Sequence, residues 1–199
     1  MTDQPELRLP DAAAWRAWLE ENHATSDGVW LVMSRGGSTA TTSLTYAEAL
    51  DEALCFGWID SQARKRDETS RSQRMTPRRA RSPWSARNVG FVARLEEEGR
   101  MTEAGRAEVR RAQADGRWDR AYAGPASAVV PDDLAAAIDA EPRARAMFDV
   151  LTSSNRFAMI YRVDEAVRPE TRARRIENLV AMLARGETPY PQKARPEGW

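Results

Sequence analysis

CFGWIDSQARKRDETSRSQRMTPRRARSPWSARN, residues 55 to 88, is the stretch that decides the fold which the sequence predicts. Residues 58–66 and 71–77 have the length of β-strands, and the segment between them, 67–70, reads DETS, a composition that favours a turn. The simplest prediction is therefore a β-hairpin. Its polarity is unusual, because side chains alternate between the two faces of a strand and neither face of these strands would be continuously apolar.

Helices and one more strand are predicted before the hairpin. Residues 11–23 carry apolar side chains at helical spacing, residues 29–33 (VWLVM) form a short apolar run typical of a buried strand, and residues 36–39 (GGST) are expected to be a loop. Thr45 and Glu48 have the spacing of a capping box, in which each side chain accepts a hydrogen bond from the other residue's backbone. This spacing predicts a helix directly ahead of the hairpin.

The chain after the hairpin is predicted to be mainly helical. A helix is expected from Ser85 and another over 102–114, followed by a Gly/Pro/Ala-rich connector to about residue 130. Further helices are expected near 132–140, 142–153 and 169–185.

The fold class that follows from this order of elements is α+β, with a small antiparallel β-sheet packed with helices and a helical region at the C-terminal end. We expect three parts: an α+β domain over 1–125, a helical domain over 131–188, and a solvated tail over 189–199.

Composition places the chain among folded globular proteins. Of its 199 residues 42% are apolar and 30% are charged, with 30 basic and 30 acidic side chains and a formal net charge of zero. A neutral molecule has no overall attraction to nucleic acid or to an anionic membrane, although a local basic patch still acts over roughly 10 Å. Cys55 is the single cysteine, so it can form no internal disulfide, and its apolar neighbours predict that it is buried.

Export and membrane signals are not found in the sequence. The N-terminal stretch MTDQPELRLPDAAAW lacks both the basic start and the apolar segment of a signal peptide. No stretch approaches the roughly 20 apolar residues that a membrane-spanning helix needs. We therefore expect a cytoplasmic protein without a membrane span.

The hairpin region holds a local excess of positive charge. Eight cations lie between residues 64 and 81, against only Asp67 and Glu68: Arg64, Lys65, Arg66, Arg71, Arg74, Arg78, Arg79 and Arg81. One interpretation is that these side chains are solvated and paired with acids such as those of 96–98. The other is an anion site, since the planar guanidinium of arginine binds phosphate or carboxylate in bidentate fashion.

A helix N-terminus beside this basic stretch strengthens the anion hypothesis. Ser85 is a good N-cap residue, and the free backbone N–H groups of a helix start attract anions. Capping and a rigid turn alone would explain the same residues. The candidate ligand-binding residues are Trp58, Asp60, Arg64, Lys65, Arg74, Thr76, Arg78, Trp84, Ser85 and Asn88.

Tryptophans and the single histidine suggest two further roles. Trp58 and Trp84 are two of seven tryptophans, which either fill the core or line a site for an aromatic ligand. His23 is the only candidate acid/base, but the sequence names no partner that would orient it, and a structural role at a helix end explains it as well. No motif for a metal, a cofactor or a catalytic nucleophile occurs, so none of these is expected.

Several motifs together resemble a known family. They are WLEENH, GVWL, YAEALDEALCFGWIDS, RKRDE, QRMTPRRARSPWSARN and GRMTEAGRAEVRRAQADGRW in the first 120 residues, with PDDLAAAIDAEPRARAMFDVL and TRARRIENLVAML later. This set is similar to the YdeI/OmpD-associated, bacteriocin-protection family. Met75 stands where that family commonly has an aromatic residue, and Arg66 and Ser72 stand where it commonly has bulkier apolar ones.

The resemblance implies protection against bacteriocins or antimicrobial peptides, and it implies no catalytic residues. The family name also implies a periplasmic outer-membrane partner, which we do not expect here because the sequence shows no export signal. Three hypotheses for function remain open. The first is a non-enzymatic protein that binds an anionic or aromatic small molecule or peptide, in a cleft formed by residues 58–88. The second is a nucleic-acid-binding module that uses the basic hairpin 64–81. The third is an enzyme built on His23, Asp60, Arg74 and Arg78.

Overall fold

The computed structural model describes residues 4–36, 41–125 and 127–199. The chain divides into two compact units, unit 1 of Met1–Ala121 and unit 2 of Tyr122–Trp199. The loop expected over 36–39 lies outside the described residues from Gly37 onward. The three-part domain division expected from the sequence stays a prediction.

Unit 1 contains a mixed four-stranded sheet and four helices within the described residues. Its strands are β1 (Glu6–Leu7), β2 (Val29–Ser34), β3 (Trp58–Lys65) and β4 (Ser70–Pro77), and its helices are α1 (Ala12–Asn22), α2 (Tyr46–Cys55), α3 (Ala86–Glu97) and α4 (Glu103–Ala114). The strand order is β1-β2-β4-β3, in which β2, β4 and β3 are antiparallel and β1 lies parallel to β2. The α+β class is confirmed, and the short parallel strand β1 is an addition to the antiparallel sheet that the sequence predicted.

The hairpin and both helix caps form where the sequence predicts them. Strands β3 and β4 pair from Trp58 opposite Pro77 to Lys65 opposite Arg71, with an irregularity between Asp60 and Ala63. Thr45 and Glu48 form the capping box of α2. The Ser85 hydroxyl accepts a hydrogen bond from the backbone N–H of Asn88, three residues into α3.

The two faces of the sheet have different surroundings. On the inner face, Val29, Leu31, Met33 and Met75 belong to the same buried cluster as residues of α1 and α2. On the outer face, the register places Trp30 opposite Arg74 and Val32 opposite Ser72. The alternation of side chains along a strand therefore separates an apolar face, packed by helices, from a polar face.

Asp67 organises the turn of the hairpin and makes it sensitive to acid. Its carboxylate accepts hydrogen bonds from the Ser70 hydroxyl and from the backbone N–H groups of Thr69 and Ser70, at 2.8, 2.9 and 2.7 Å. The Ser70 hydroxyl and then the Thr69 N–H hold the pKa of Asp67 well below its usual range. Because the pKa of Asp67 is lower in the folded than in the unfolded chain, its carboxylate stabilises the fold at pH values above the ordinary carboxyl pKa. This stabilisation is lost progressively as the pH falls from there toward the folded-state pKa.

We therefore expect wild type to be more stable than Asp67→Asn at pH 7, with the difference shrinking by pH 3.5, where the carboxyl of the unfolded chain is largely protonated. Urea denaturation of both proteins at the two pH values measures this. An equal difference at both pH values would contradict the role of the carboxylate.

Unit 2 contains four helices within its described residues. Its helices are α5 (Asp132–Asp139), α6 (Pro142–Asp149), α7 (Ser153–Asp164) and α8 (Pro169–Ala184). Their apolar residues form a separate core that includes Leu134, Met147, Met159 and Leu183. The helix expected over 142–153 ends earlier, because Thr152 caps a new helix, α7, and accepts a hydrogen bond from the Asn155 N–H.

The C-terminal segment is anchored, although most of its residues are exposed. The buried Asn155 side chain donates to the Tyr190 carbonyl at 3.1 Å and to Gln192 Oε1 at 2.7 Å, and accepts from the Tyr190 N–H at 2.7 Å. The Trp199 ring lies 4.5 Å from the Arg143 guanidinium. The segment that was expected to be a solvated tail therefore returns onto α6 and α7.

Candidate functional site

The candidate ligand-binding residues lie in several separate places of unit 1 and do not line a single cleft. Trp58 is buried in the core of unit 1, where its ring packs edge-on against Trp15 and Trp18 and its indole N–H donates to the His23 carbonyl at 3.1 Å. His23 itself lies with Nδ1 2.8 Å from the Leu19 carbonyl. These two residues fix the end of α1 against the start of β3.

A second group of predicted residues forms the connection from β4 to α3. Arg78 and Trp84 are both buried; the Arg78 guanidinium carbon lies 3.5 Å from the centre of the Trp84 ring, and Arg78 Nη1 donates to the Pro83 carbonyl at 3.1 Å. Ser85 caps α3 through the backbone of Asn88. This arrangement stacks a cation on an aromatic face and holds the loop in place.

Three predicted residues are directed by the sheet register to its outer face. Arg64 lies over the Trp30 ring, 4.2 Å from its centre, and Arg74 Nε donates to Gln4 Oε1 at 2.7 Å. Thr76 lies against Gly28, where a Cβ atom would come within 2.7 Å of the threonine methyl. Lys65 is on the opposite face, at the end of β3, and pairs with Glu68.

Asp60 belongs to a different group, which we call the Tyr46 cluster and define as Tyr46, Asp60, Arg71 and Arg87. The Tyr46 hydroxyl donates to Asp60 Oδ2 at 2.8 Å. The Arg71 guanidinium carbon lies 5.1 Å from the centre of the Tyr46 ring. Since Arg71 is paired with Met33 on one side and Lys65 on the other, it lies on the inner face, beyond the apolar core.

Electrostatics keep the Tyr46 hydroxyl protonated. Burial, followed by the hydrogen bond to Asp60, raises the pKa of Tyr46 to about 12, against the opposing charges of Arg87 and Arg71. At neutral pH the tyrosine therefore remains a donor and occupies one oxygen of the Asp60 carboxylate.

One donor of the Tyr46 cluster has no acceptor. Arg71 Nε is buried, yet within residues 4–36, 41–125 and 127–199 it makes no hydrogen bond. A buried N–H without a partner costs about 1–3 kcal/mol. Tyr46, Asp60 and Arg71 are only partly buried and Arg87 is exposed, so other atoms of the cluster are open to solvent although Arg71 Nε is not.

The sequence named only Asp60 of these four residues as a candidate. Tyr46 lies inside the predicted capping box of Thr45 and Glu48, and Arg71 is one of eight cations. The signal that could have found them is the capped start of α2 at Thr45, followed 14 residues after Tyr46 by an aspartate in the next strand. Without the register of β3 and β4, nothing separates Arg71 from its basic neighbours.

Two concave surfaces of the described chain lie elsewhere, along α8 in unit 2. Two clefts of about 510 and 450 Å³ share Ala137 and Glu177 in their lining. Their walls are mainly alanine and aliphatic side chains with charged residues at the rim. Because they lack the convergent buried polar groups typical of a small-molecule site, we place the candidate site at the Tyr46 cluster.

Residues 4–36, 41–125 and 127–199 offer neither a metal-binding group of His, Cys, Asp or Glu side chains nor a membrane-spanning helix. No three His, Cys, Asp or Glu side chains there are grouped so that they could hold a metal ion. No helix in the same ranges is both long and apolar enough to cross a membrane.

The fold and the site together define an α+β protein with a helical second unit and a cationic cluster on the inner face of its sheet. Residues 7–108 match the model of a domain of unknown function, DUF8412, and the chain belongs to that family. Residues 127–186 match the family described as Bacteriocin-protection, YdeI or OmpD-Associated, so the resemblance seen in the sequence is confirmed over that part of unit 2. No curated protein and no solved structure matches the chain.

The two matches divide the motifs that carried the resemblance. CFGWIDS and the hairpin motifs lie within the residues matched by the domain of unknown function, whereas PDDLAAAIDAEPRARAMFDVL and TRARRIENLVAML lie within 127–186. The candidate site is therefore in the part of the chain whose family has no described function.

Proposed function

We propose that this chain is a non-enzymatic binding protein that holds a small anionic molecule at the Tyr46 cluster. The observation that carries the proposal is the buried Arg71 Nε–H without an acceptor, beside a tyrosine whose hydroxyl is already bonded to Asp60. A carboxylate or phosphate oxygen would accept from Arg71 and reduce the excess of positive charge. Charge-assisted hydrogen bonds of this kind are among the stronger ones in proteins.

An anionic ligand has more support than a purely aromatic one. Trp58 and Trp84, the tryptophans of the predicted site, are buried in packed surroundings, so they offer no free ring face to a ligand. The accessible aromatic ring of the cluster, Tyr46, already has a guanidinium over it. The ligand would therefore be recognised mainly by its charge.

The alternative of nucleic-acid binding by the hairpin has less support. Glu6 pairs with Arg64 and Arg66, Glu68 pairs with Lys65, and Arg74 donates to Gln4. The two glutamates reduce the net positive charge at the hairpin, on which attraction to a phosphate backbone depends. The enzyme hypothesis is weakened because His23 Nδ1 interacts with a backbone carbonyl and not with Asp60, Arg74 or Arg78.

A role in resistance is part of the proposal. The family matched by residues 127–186 is named for bacteriocin protection and for association with OmpD. We propose that capture of an anionic compound at the Tyr46 cluster is the binding step of such protection. A cytoplasmic location agrees with the sequence prediction and belongs to the same proposal.

The test compares Arg71→Gln with Arg64→Gln, an equal change on the opposite face of the same hairpin. Binding of phosphate, sulfate, acetate and benzoate is measured by isothermal titration calorimetry at constant ionic strength. We expect at least one of these anions to bind wild type and its affinity to fall by about tenfold or more in Arg71→Gln, which corresponds to about 1.4 kcal/mol. Arg64→Gln should change the affinity by less than about twofold.

The proposal fails if none of the four anions binds wild type at millimolar concentration. It also fails if Arg64→Gln loses affinity and Arg71→Gln does not, since the anion would then bind to the other face of the sheet. Chemical shift changes in NMR spectra should centre on residues 46, 60, 71 and 87.

A further inference from the structure

We propose that the outer face of the sheet is a docking surface for an acidic peptide segment, and that Glu6 of the chain itself occupies part of this surface. The surface comprises Trp30, Arg64, Arg66, Ser72 and Arg74, and we call it the outer basic surface. It lies on the opposite side of the sheet from the Tyr46 cluster. The inference is independent of the proposed function.

Glu6 makes the contacts expected of a bound acidic ligand. One of its oxygens accepts from Arg66 Nε at 3.0 Å, and the other accepts from the Ser72 hydroxyl at 3.3 Å and from Arg64 Nη2 at 3.4 Å. The hydrogen bond from Arg66 lowers the pKa of Glu6, which keeps the carboxylate ionised. The outer basic surface therefore recognises a carboxylate carried on an extended backbone.

Positive charge remains after Glu6 has bound. The outer basic surface carries the three cations Arg64, Arg66 and Arg74, whereas Glu6 supplies one negative charge and Asp67 shares Arg66. Arg74 is bonded to the neutral side chain of Gln4. Arg64 also lies over the partly exposed Trp30 ring, which offers an apolar and aromatic contact beside the cations. A segment with several acidic residues would satisfy more of this surface than Glu6 alone.

The contacts of Glu6 are weak enough to be displaced. Strand β1 is only two residues long and lies at the edge of the sheet. The side chains of Glu6 and Arg64 are 37% and 46% exposed, and ion pairs at such exposure contribute little to stability. A partner with several carboxylates can therefore compete with Glu6 at modest cost to the fold.

A peptide fits this surface better than a nucleic acid. The occupant in the structure is a carboxylate on a β-strand, and the register places Glu6 directly opposite Trp30. The hairpin turn beside the surface carries Asp67 and Glu68, which would repel a continuous phosphate backbone running past it. In an extended peptide, alternate side chains point to opposite faces, so every second carboxylate can face the cations of this surface.

The experiment removes the internal competitor. Glu6→Gln is compared with Glu103→Gln, which removes the same charge from an exposed acid on α4, paired with Arg110. The probe is a fluorescein-labelled hexaglutamate peptide, and binding is measured by fluorescence anisotropy at 50 and 150 mM salt. We expect Glu6→Gln to bind the peptide at least fivefold more tightly than Glu103→Gln, and the gain to disappear when Arg66→Gln is added to Glu6→Gln.

Equal affinities of Glu6→Gln and Glu103→Gln for the peptide would overturn the inference. A 12-nucleotide single-stranded DNA serves as the second probe at the same salt concentrations. If Glu6→Gln gains more affinity for DNA than for the peptide, the assignment of an acidic peptide is overturned. Circular dichroism melts of every variant establish that the comparison is made between folded proteins. Because Glu6 lies on the outer face of the sheet, we expect Glu6→Gln to leave phosphate binding at the Tyr46 cluster unchanged.

Discussion

Glu52→Ala is expected to lower the free energy of unfolding of unit 1 by roughly 3 kcal/mol, because it removes the buried acid on which two arginines converge. Glu52 Oε2 accepts from Arg16 Nη1 at 2.8 Å, and Oε1 accepts from Arg100 Nη2 at 2.7 Å. The Glu52 side chain is only 8% exposed, while the arginines keep 32% and 33% of their exposure. Since both cations can be partly resolvated, the cost should lie at the lower end for a broken buried pair.

The matched control is Glu98→Ala, which removes another carboxylate from the same arginine. Glu98 Oε2 accepts from Arg100 Nη1 at 3.0 Å, but its side chain is 39% exposed. We expect this change to cost much less than Glu52→Ala, because an exposed ion pair contributes little to stability. Urea denaturation followed by tryptophan fluorescence measures both, since six of the seven tryptophans lie in unit 1. Equal effects of the two substitutions would show that burial does not decide the strength of this network.

Gly105→Ala is expected to destabilise unit 1 by about 2–3 kcal/mol, although alanine usually stabilises a helix relative to glycine. Gly105 lies in α4, where a Cβ atom would come within 2.3 Å of the Cys55 carbonyl oxygen. That oxygen ends α2 and accepts from the Thr102 hydroxyl at 2.6 Å and the Thr102 N–H at 3.1 Å. The two nearest atoms, the Cys55 carbonyl oxygen and carbon, belong to the backbone and cannot move aside as a flexible side chain could. An added methyl group therefore forces α2 and α4 apart.

Gly90→Ala tests the same chemical change without the contact. Gly90 is also inside a helix, α3, and a Cβ atom there would meet nothing within 4 Å. We expect this substitution to stabilise the protein by about 0.5–1 kcal/mol, the intrinsic preference of a helix for alanine. The opposite signs of the two results, read from urea denaturation curves, are the test. A neutral or stabilising Gly105→Ala would mean that α4 does not pack on the end of α2 as described.

Local interactions explain why much of the secondary structure could be predicted. The capping box of Thr45 and Glu48 and the Ser85 cap depend on residues three positions apart, and these caps form where the sequence places them. The hairpin follows from two strand-like segments around a turn whose carboxylate, Asp67, satisfies the local N–H groups. Such contacts are encoded within a few residues, so no knowledge of the rest of the chain is needed.

Elements that depend on distant partners were not predicted. Strand β1 has two residues and exists because Glu6 and Leu7 pair with Trp30 and Leu31 of β2. Helix α7 lies within the region 131–188 that is expected to be helical, but its bounds were not predicted, because the buried Asn155 in its first turn is satisfied by Tyr190 and Gln192 from the C-terminal segment. In both cases the stabilising contacts come from residues more than 20 positions away.

The basic stretch of residues 64–81 shows most clearly what the sequence determines and what depends on the tertiary structure. The sequence by itself determined that eight cations lie between residues 64 and 81, that two strands carry several of them, and that helices follow. Only the tertiary structure decided which cation does what. Strand register directs Arg64 and Arg74 to the outer face and Arg71 to the inner face, and folding brings Glu6 and Tyr46 to them from remote positions. The physical reason is that charge is carried by single residues, whereas the neutralisation or exposure of that charge depends on which distant groups the fold brings within hydrogen-bonding distance.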